Sequence, residues 1–244
     1  MDISSAKPGG SKMKILALET ATEACSVALQ IDNVVIADHR IAPRQHTELV
    51  LSMIKEILAQ AGIQAKDLDA IAFGRGPGAF TGVRIACGLA QGLALGAGVP
   101  LISVSTLQIL AQGAYGQYGA RKVITAIDAR MGEVYYAGFE IDEKQCVQES
   151  IIERVCIPDN IELPIDQAKQ WHGVGTGFAS YSKVLNERLD NYLIKMVDDA
   201  LPNARDILPI ALNLWVQGET IALEDALPVY LRDNIAKKST KCLF

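Results

Sequence analysis

The sequence predicts an α/β protein of two lobes, each a mixed sheet with a hairpin and crossover helices. Three observations predict it. Hydrophobic periodicity gives the element order β-β-β-α-β-α-β, and that order starts again near Lys122. An acidic residue closes the first strand of each half, Glu19 in Lys14–Glu19 and Asp128 in Lys122–Asp128. The stretch Ile71–Gly98 (IAFGRGPGAFTGVRIACGLAQGLALGAG) reads as a short buried strand, a glycine-punctuated turn and a helix. With 244 residues, half of them hydrophobic, the chain can bury a sizeable core as one large domain or two small lobes.

Met1–Lys12 is polar and glycine-rich and reads as a disordered leader or remnant, with Met13 a candidate native start. Lys14–Glu19 is a short apolar run, a buried strand. Cys25–Ile31 and Val34–Arg40 flank Asp32-Asn33, a good hairpin dipeptide. Thr47–Ala61 is the clearest helix. Its residues Leu49, Val50, Met53, Ile54, Ile57, Leu58 and Ala61 form one stripe, and Gly62 is a natural stop. Leu68–Gly74 is the next strand and Thr81–Gly98 the next helix.

That helix carries two rows. Ile85, Leu89 and Leu93 make an apolar ridge at i, i+4, i+8. Gly88, Gly92 and Gly96 make a second row at the same spacing. Each interior glycine costs about 0.8–1 kcal/mol relative to alanine. A row without side chains lets another helix come close, so the helix reads as a docking surface, inside the fold or against a partner.

Leu101–Val104 is a strand, Ser105–Ala114 a helix, and the glycine- and tyrosine-rich Gly113–Gly119 reads as a linker. In the second half, Lys122–Asp128, Glu133–Ile141, Gln145–Val155, Trp171–Gly175 and Tyr192–Met196 read as strands. Helices are expected around Ile165–Lys169, over Tyr181–Leu189 and over Ala204–Gln217. These runs divide the chain into a first lobe, 13–115, completed by helix 204–217, a second lobe, 116–203, and a basic tail, 235–244.

Composition bounds the function. The net charge of −5 makes a poor nonspecific binder of nucleic acid. Five scattered cysteines without a C-x-x-C pair fit reduced thiols and a cytoplasmic location. The apolar run Val83–Val104 is broken by Arg84, Gln91, glycines and Pro100, which argues against a membrane span.

Several residues carry two readings. The glycine turn at Gly74, Gly76, Gly78 and Gly82 holds an anion at the helix N-terminus or is simply a tight connection; no Lys-Ser/Thr pair follows, so a Walker A loop is not supported. Glu19 and Asp128 hold a hydrated Mg²⁺ beside nucleotide phosphates or, as the preferred reading, cap turns at strand ends. Arg84 clamps an anion or makes a salt bridge. Arg44 and His46 precede a helix and contact a ligand or face water. Tyr135 and Tyr136 alternate on a strand, so one should be buried. The three histidines show no H-x-x-x-H or H-E-x-x-H spacing, and there is no G-x-S-x-G elbow.

ILALETATEACSVAL, RQHTELVL, GRGPGAFTGVRIACGLAQGLA, IDARMGEVYYAGFE and PVYLRDN together resemble the bacterial TsaB (YeaZ) family over nearly all of 13–236. The resemblance implies the actin-like, Hsp70-like ATPase superfold, two ribonuclease-H-like lobes. It implies a role in making N6-threonylcarbamoyladenosine beside the anticodon of tRNA, as the non-catalytic partner of the paralogous transferase TsaD, with the small ATPase TsaE. Pairing through first-lobe helices would place Leu49, Met53, Ile57, Arg84, Ile85, Gly88, Leu89, Gly92, Leu93 and Gly96 at the interface.

The apolar surface of those two helices should not stay wet, so the lone protein is expected to self-associate as a dimer; the resemblance implies tRNA contact only through the complex. TsaD-like proteins carry a metal-binding H-x-x-x-H whose places here are Thr106 and Leu110, so no metal site is expected. The superfold's first phosphate loop is here Glu19-Thr20-Ala21-Thr22, without glycine. Glu19, Thr20, Thr22 and Asp128 are then vestigial nucleotide and Mg²⁺ positions. No cofactor should bind tightly, though ADP or ATP can lodge at the joint with TsaD. Two alternatives are an ATP-dependent small-molecule kinase of the same superfold, using Glu19 and Asp128 for Mg²⁺, and a metallopeptidase.

Overall fold

A computed structural model describes residues 13–165 and 169–232. Strands β1 (Lys14–Glu19), β2 (Ala24–Ile31), β3 (Val34–Ile41), β4 (Ala70–Gly74) and β5 (Leu101–Val104) form one sheet in the order β3-β2-β1-β4-β5. Strands β6 (Lys122–Arg130), β7 (Glu133–Ile141), β8 (Val147–Cys156), β9 (Trp171–Val174) and β10 (Leu193–Val197) form a second in the order β10-β9-β6-β7-β8. In both, three strands meander antiparallel and two more add in parallel on the far side. The second sheet repeats the topology of the first, as the doubled pattern predicts.

The hairpins form where the backbone can turn left-handed. Asp32 takes φ 52° between β2 and β3, and Arg130, Met131 and Gly132 take φ of 63°, 57° and 81° between β6 and β7. On β1, Ile15 and Ala17 face one buried cluster while Leu16 and Leu18 face another. Both faces of the sheet are therefore covered, which explains the unbroken apolar run.

Helices α1 (His46–Gln60) and α2 (Phe80–Ala97) cover the outer face of the first sheet. Helix α3 (Thr106–Tyr118) and the last long helix, Ala204–Gln217, share one core with residues of both sheets, among them Ile15, Ile102, Val123 and Phe139. The second lobe adds the short helices α4 (Thr176–Ser180) and α5 (Ser182–Leu189); Ala204–Gln217 is α6.

Two expectations are corrected. The linker read at Gly113–Gly119 is the second half of α3, which ends only at Gly119, left-handed at φ 67°. Helix α6 packs closely at Gly113, where an added Cβ would lie 2.7 Å from Asp206 Oδ2. Thr176–Ser180, left between the expected strand Trp171–Gly175 and the expected helix Tyr181–Leu189, forms α4, a short turn of helix. The helix expected around Ile165–Lys169 falls largely on 166–168, and the leader and basic tail on 1–12 and 233–244, all outside the described residues.

Candidate functional site

The β1–β2 turn and the β4–α2 turn are locked together. Glu19 is wholly buried, and its Oε1 accepts the Ala21 N–H at 2.5 Å. Burial pushes its carboxyl up to about 7. Its other oxygen, Oε2, has no hydrogen-bond partner and lies where a Cβ on Gly74 would be, 1.9 Å away. Thr20 Oγ1 donates to the Gly82 carbonyl at 2.7 Å, and the Ala79 N–H donates to the Ala21 carbonyl at 2.7 Å. Thr22 Oγ1 accepts weakly from the Ala24 N–H at 3.4 Å.

Added Cβ atoms at Gly78 and Gly82 would meet the Ala21 and Thr20 carbonyl oxygens at 2.4 and 2.0 Å. The glycine turn therefore admits the chain's own backbone, and the tight-connection reading holds. A nucleotide phosphate does not fit where these carbonyls already sit. Gly82→Ala should destabilise the protein by about 1–3 kcal/mol, because the added methyl meets backbone rather than a yielding side chain. A drop of several degrees in melting temperature checks this; an unchanged value would contradict the close packing.

Asp128 does not join Glu19. Its Oδ1 accepts from the Arg130 N–H at 2.8 Å and the Tyr181 hydroxyl at 3.2 Å. Its Oδ2 accepts from the Arg130 guanidinium at 3.1 Å and the Ser180 hydroxyl at 3.2 Å. Both carboxylates accept N–H groups of the turns that follow their strands, as the turn-capping reading has it; one is sealed in the core and the other is engaged by its own lobe. Thr106 and Leu110 are buried, Leu110 in the core shared by the lobes. Among the described residues no three His, Cys, Asp or Glu side chains are grouped to hold a metal. His46 is buried with Nε2 3.1 Å from the Ala24 carbonyl, and Tyr136 is buried with Tyr135 half-buried.

The other candidate residues lie on α2 and α1. Gly88, Gly92 and Gly96 are exposed, and a Cβ on any of them would meet nothing within 4 Å. Ile85, Leu89 and Leu93 are half-buried beside them, packed against the outer core. A third of the residues of α2 are buried, and the large apolar Phe80 and Leu95 are exposed. The glycine row, with Leu95 beside it, is thus a face of α2 that no described residue covers.

On α1 the expectation is corrected. Met53 and Ile57 are core residues at 0% and 3% exposure, and the Cys25 thiol lies 3.7 Å from the Met53 sulfur. They cannot touch a partner, because the stripe they belong to is the one that seals the helix onto the sheet. Leu49 is half-buried, and Leu51, which the stripe omits, is exposed. An apolar residue off the buried stripe was the signal for it.

Arg84 makes neither a salt bridge nor an anion contact among the described residues. Its guanidinium lies 3.2 Å over the Phe80 ring and 4.9 Å from the Tyr230 ring centroid, and donates to the Phe80 carbonyl at 3.1 Å. Tyr230 arrives on a strap after α6. The strap pairs Ile221 with Leu101, takes the Gln91 amide on the Leu223 carbonyl at 2.9 Å, and donates the Val229 N–H to the Arg75 carbonyl at 2.9 Å. It ends on the second lobe, where Arg232 donates to the Ala129 carbonyl and to Glu133. Arg75 and Ser105 meanwhile both hold Glu153 of β8, each at 2.6 Å. Sequence reasoning missed Phe80, Tyr230, Glu153 and Arg232, whose partners are more than fifty residues away or on another element.

Comparison with known proteins agrees with this architecture. The family model described as "TsaD: tRNA N6-adenosine threonylcarbamoyltransferase" matches residues 31–240. The chain is 47% identical to the tRNA threonylcarbamoyladenosine biosynthesis protein TsaB of Escherichia coli, covering 93% of this chain and 97% of that one. It is 42% identical to the protein of that name from Haemophilus influenzae, over 93% and 96% of the two chains. Among solved structures, YeaZ from Pseudomonas aeruginosa superposes with a TM-score of 0.84 at 43% identity, covering 90% of this chain and all of that one.

Proposed function

The chain belongs to the TsaB (YeaZ) family of tRNA threonylcarbamoyladenosine biosynthesis proteins, and from that premise we propose that it is a non-catalytic scaffold that binds and activates a TsaD-type transferase. Its docking face is α2 and the exposed part of α1. The observation that carries this reading is the open row Gly88, Gly92 and Gly96, flanked by the half-buried Ile85, Leu89 and Leu93 and the exposed Leu95. Glycine in a helix interior is unfavourable, and here no neighbour among the described residues needs the space. A second helix laid into that row would come closer than side chains ordinarily allow.

The lone protein would cover the same face with a second copy, in a two-fold contact. A TsaE-type ATPase joins the assembly, tRNA is held through the complex, ADP or ATP sits at the joint with the transferase, and the work is cytoplasmic. A kinase reading finds less support, because it needs Glu19 and Asp128 presented together to a metal, and each is engaged elsewhere. Reconstitution tests the proposal. Threonylcarbamoyladenosine should form on tRNA with the TsaD and TsaE partners and this protein, and fall to background when it is omitted. Full modification without it, or turnover by this protein alone, would refute the scaffold role.

A further inference from the structure

We propose that Arg84, held between Phe80 and Tyr230, is the charged anchor of the docking face and receives a carboxylate side chain from the partner protein. The inference rests on the reading of α2 as that face. Arg84 stands four residues before Gly88 and so heads the row that continues through Gly92 and Gly96. It is the one charged residue on all 18 residues of the helix. Among the described residues, no carboxylate of the chain lies within ion-pair distance of it. A lone cation at the end of an apolar groove asks for a single complementary anion.

The guanidinium is already oriented. Phe80 lies under it at 3.2 Å and Tyr230 flanks it at 4.9 Å, with the two ring centroids 6.0 Å apart. One N–H is spent on the Phe80 carbonyl at 3.1 Å, so most of its donors stay available for a bidentate carboxylate. Both rings are substantially exposed, at 55% and 41%, and would become the water-excluding rim once a partner helix lay in the row. Tyr230 belongs to the strap, so the face is built from two distant parts of the chain. A protein carboxylate suits the site better than an RNA phosphate, because the helix that continues from it carries apolar residues and glycine and no second cation.

Affinity for the TsaD-type partner, measured calorimetrically at low and high salt, tests this. Arg84→Ala should weaken binding by about tenfold or more and flatten its salt dependence. Arg84→Lys should not restore it, since lysine keeps the charge but loses the stacked fork. Tyr230→Ala should give a smaller loss. The melting temperature of the isolated variants should stay unchanged, since both positions are at the surface. Wild-type affinity in Arg84→Ala, alongside lost binding in Gly92→Leu, would overturn the anchor and leave the docking face standing. Wild-type affinity in both would remove the face itself. Unchanged partner affinity with weakened tRNA binding by the assembled complex would also overturn it, naming phosphate as the anion.

Discussion

Replacing Gly92 by leucine is expected to abolish capture of the TsaD-type partner while the isolated protein, compared at a concentration where the wild type is monomeric, melts at the same temperature or slightly higher. The two effects separate because Gly92 is in the middle of α2 and faces open space. Inside the chain the substitution removes a helix-interior glycine, a gain of about 0.8–1 kcal/mol before the cost of an exposed leucine. At the interface it fills the row with a branched side chain. Helices pack with axes about 8–10 Å apart depending on the residues in contact, and an approach that depends on glycine cannot absorb four extra carbons by rotamer adjustment. A hundredfold loss, about 2.7 kcal/mol, is the expected scale. Pull-down of the partner with wild-type yield would place the interface elsewhere. Gly96→Leu, one turn further along the row, should behave in the same way.

Glu19→Gln is expected to stabilise the protein, by an amount that is absent below pH 4.5, grows as pH rises and is complete above pH 7. In the unfolded chain the carboxyl titrates near 4.5, whereas in the fold burial raises it to about 7. Below pH 4.5 both states hold the proton and the group contributes nothing. Between 4.5 and 7 the unfolded chain releases it while the folded chain does not, so stability falls as pH rises. Above 7 the penalty is complete, about 3 kcal/mol for a shift of this size at 1.36 kcal/mol per unit. No cation relieves it: Cys25 and Cys87, the ionisable groups that interact with it, have thiols raised by burial to about 11 and about 12. Glutamine keeps an oxygen for the Ala21 N–H and cannot ionise. Urea unfolding across pH 5–8 should show wild-type stability declining while the variant does not share that decline. Parallel profiles would mean that Glu19 titrates normally and is not sealed beneath Gly74.

The same residue explains why a phosphate-binding reading fails here. In a sheet of this kind, the end of the first strand is where a ligand would be met. This chain turns the acidic side chain inward and closes β4 over it through Gly74, then seats Thr20 and Ala21 against Gly82 and Gly78. The lobes are also tied across the seam, by Arg75 and Ser105 on Glu153 and by Arg232 on the β6–β7 turn. Those ties favour a fixed platform over a pair of lobes that open and close around a ligand.

Periodicity alone determined the order of the strands, the doubling of the sheets, the two rows on α2 and the ends of Leu101–Val104, Glu133–Ile141 and Ala204–Gln217, because alternation and helical spacing record which face of each element must leave water. It could not separate Gly82 from Gly92. Both are glycines on one helix, yet one is filled by the Thr20 carbonyl and the other opens to solvent, and only the tertiary structure decides which. It likewise could not tell that the apolar stripe of α1 consumes Met53 and Ile57 in sealing the helix, nor that Arg84 would find Tyr230 from the far end of the chain. The physical reason is common to all three. A local pattern states that a surface must be covered, while the identity of what covers it is set by residues distant in sequence that the fold brings near.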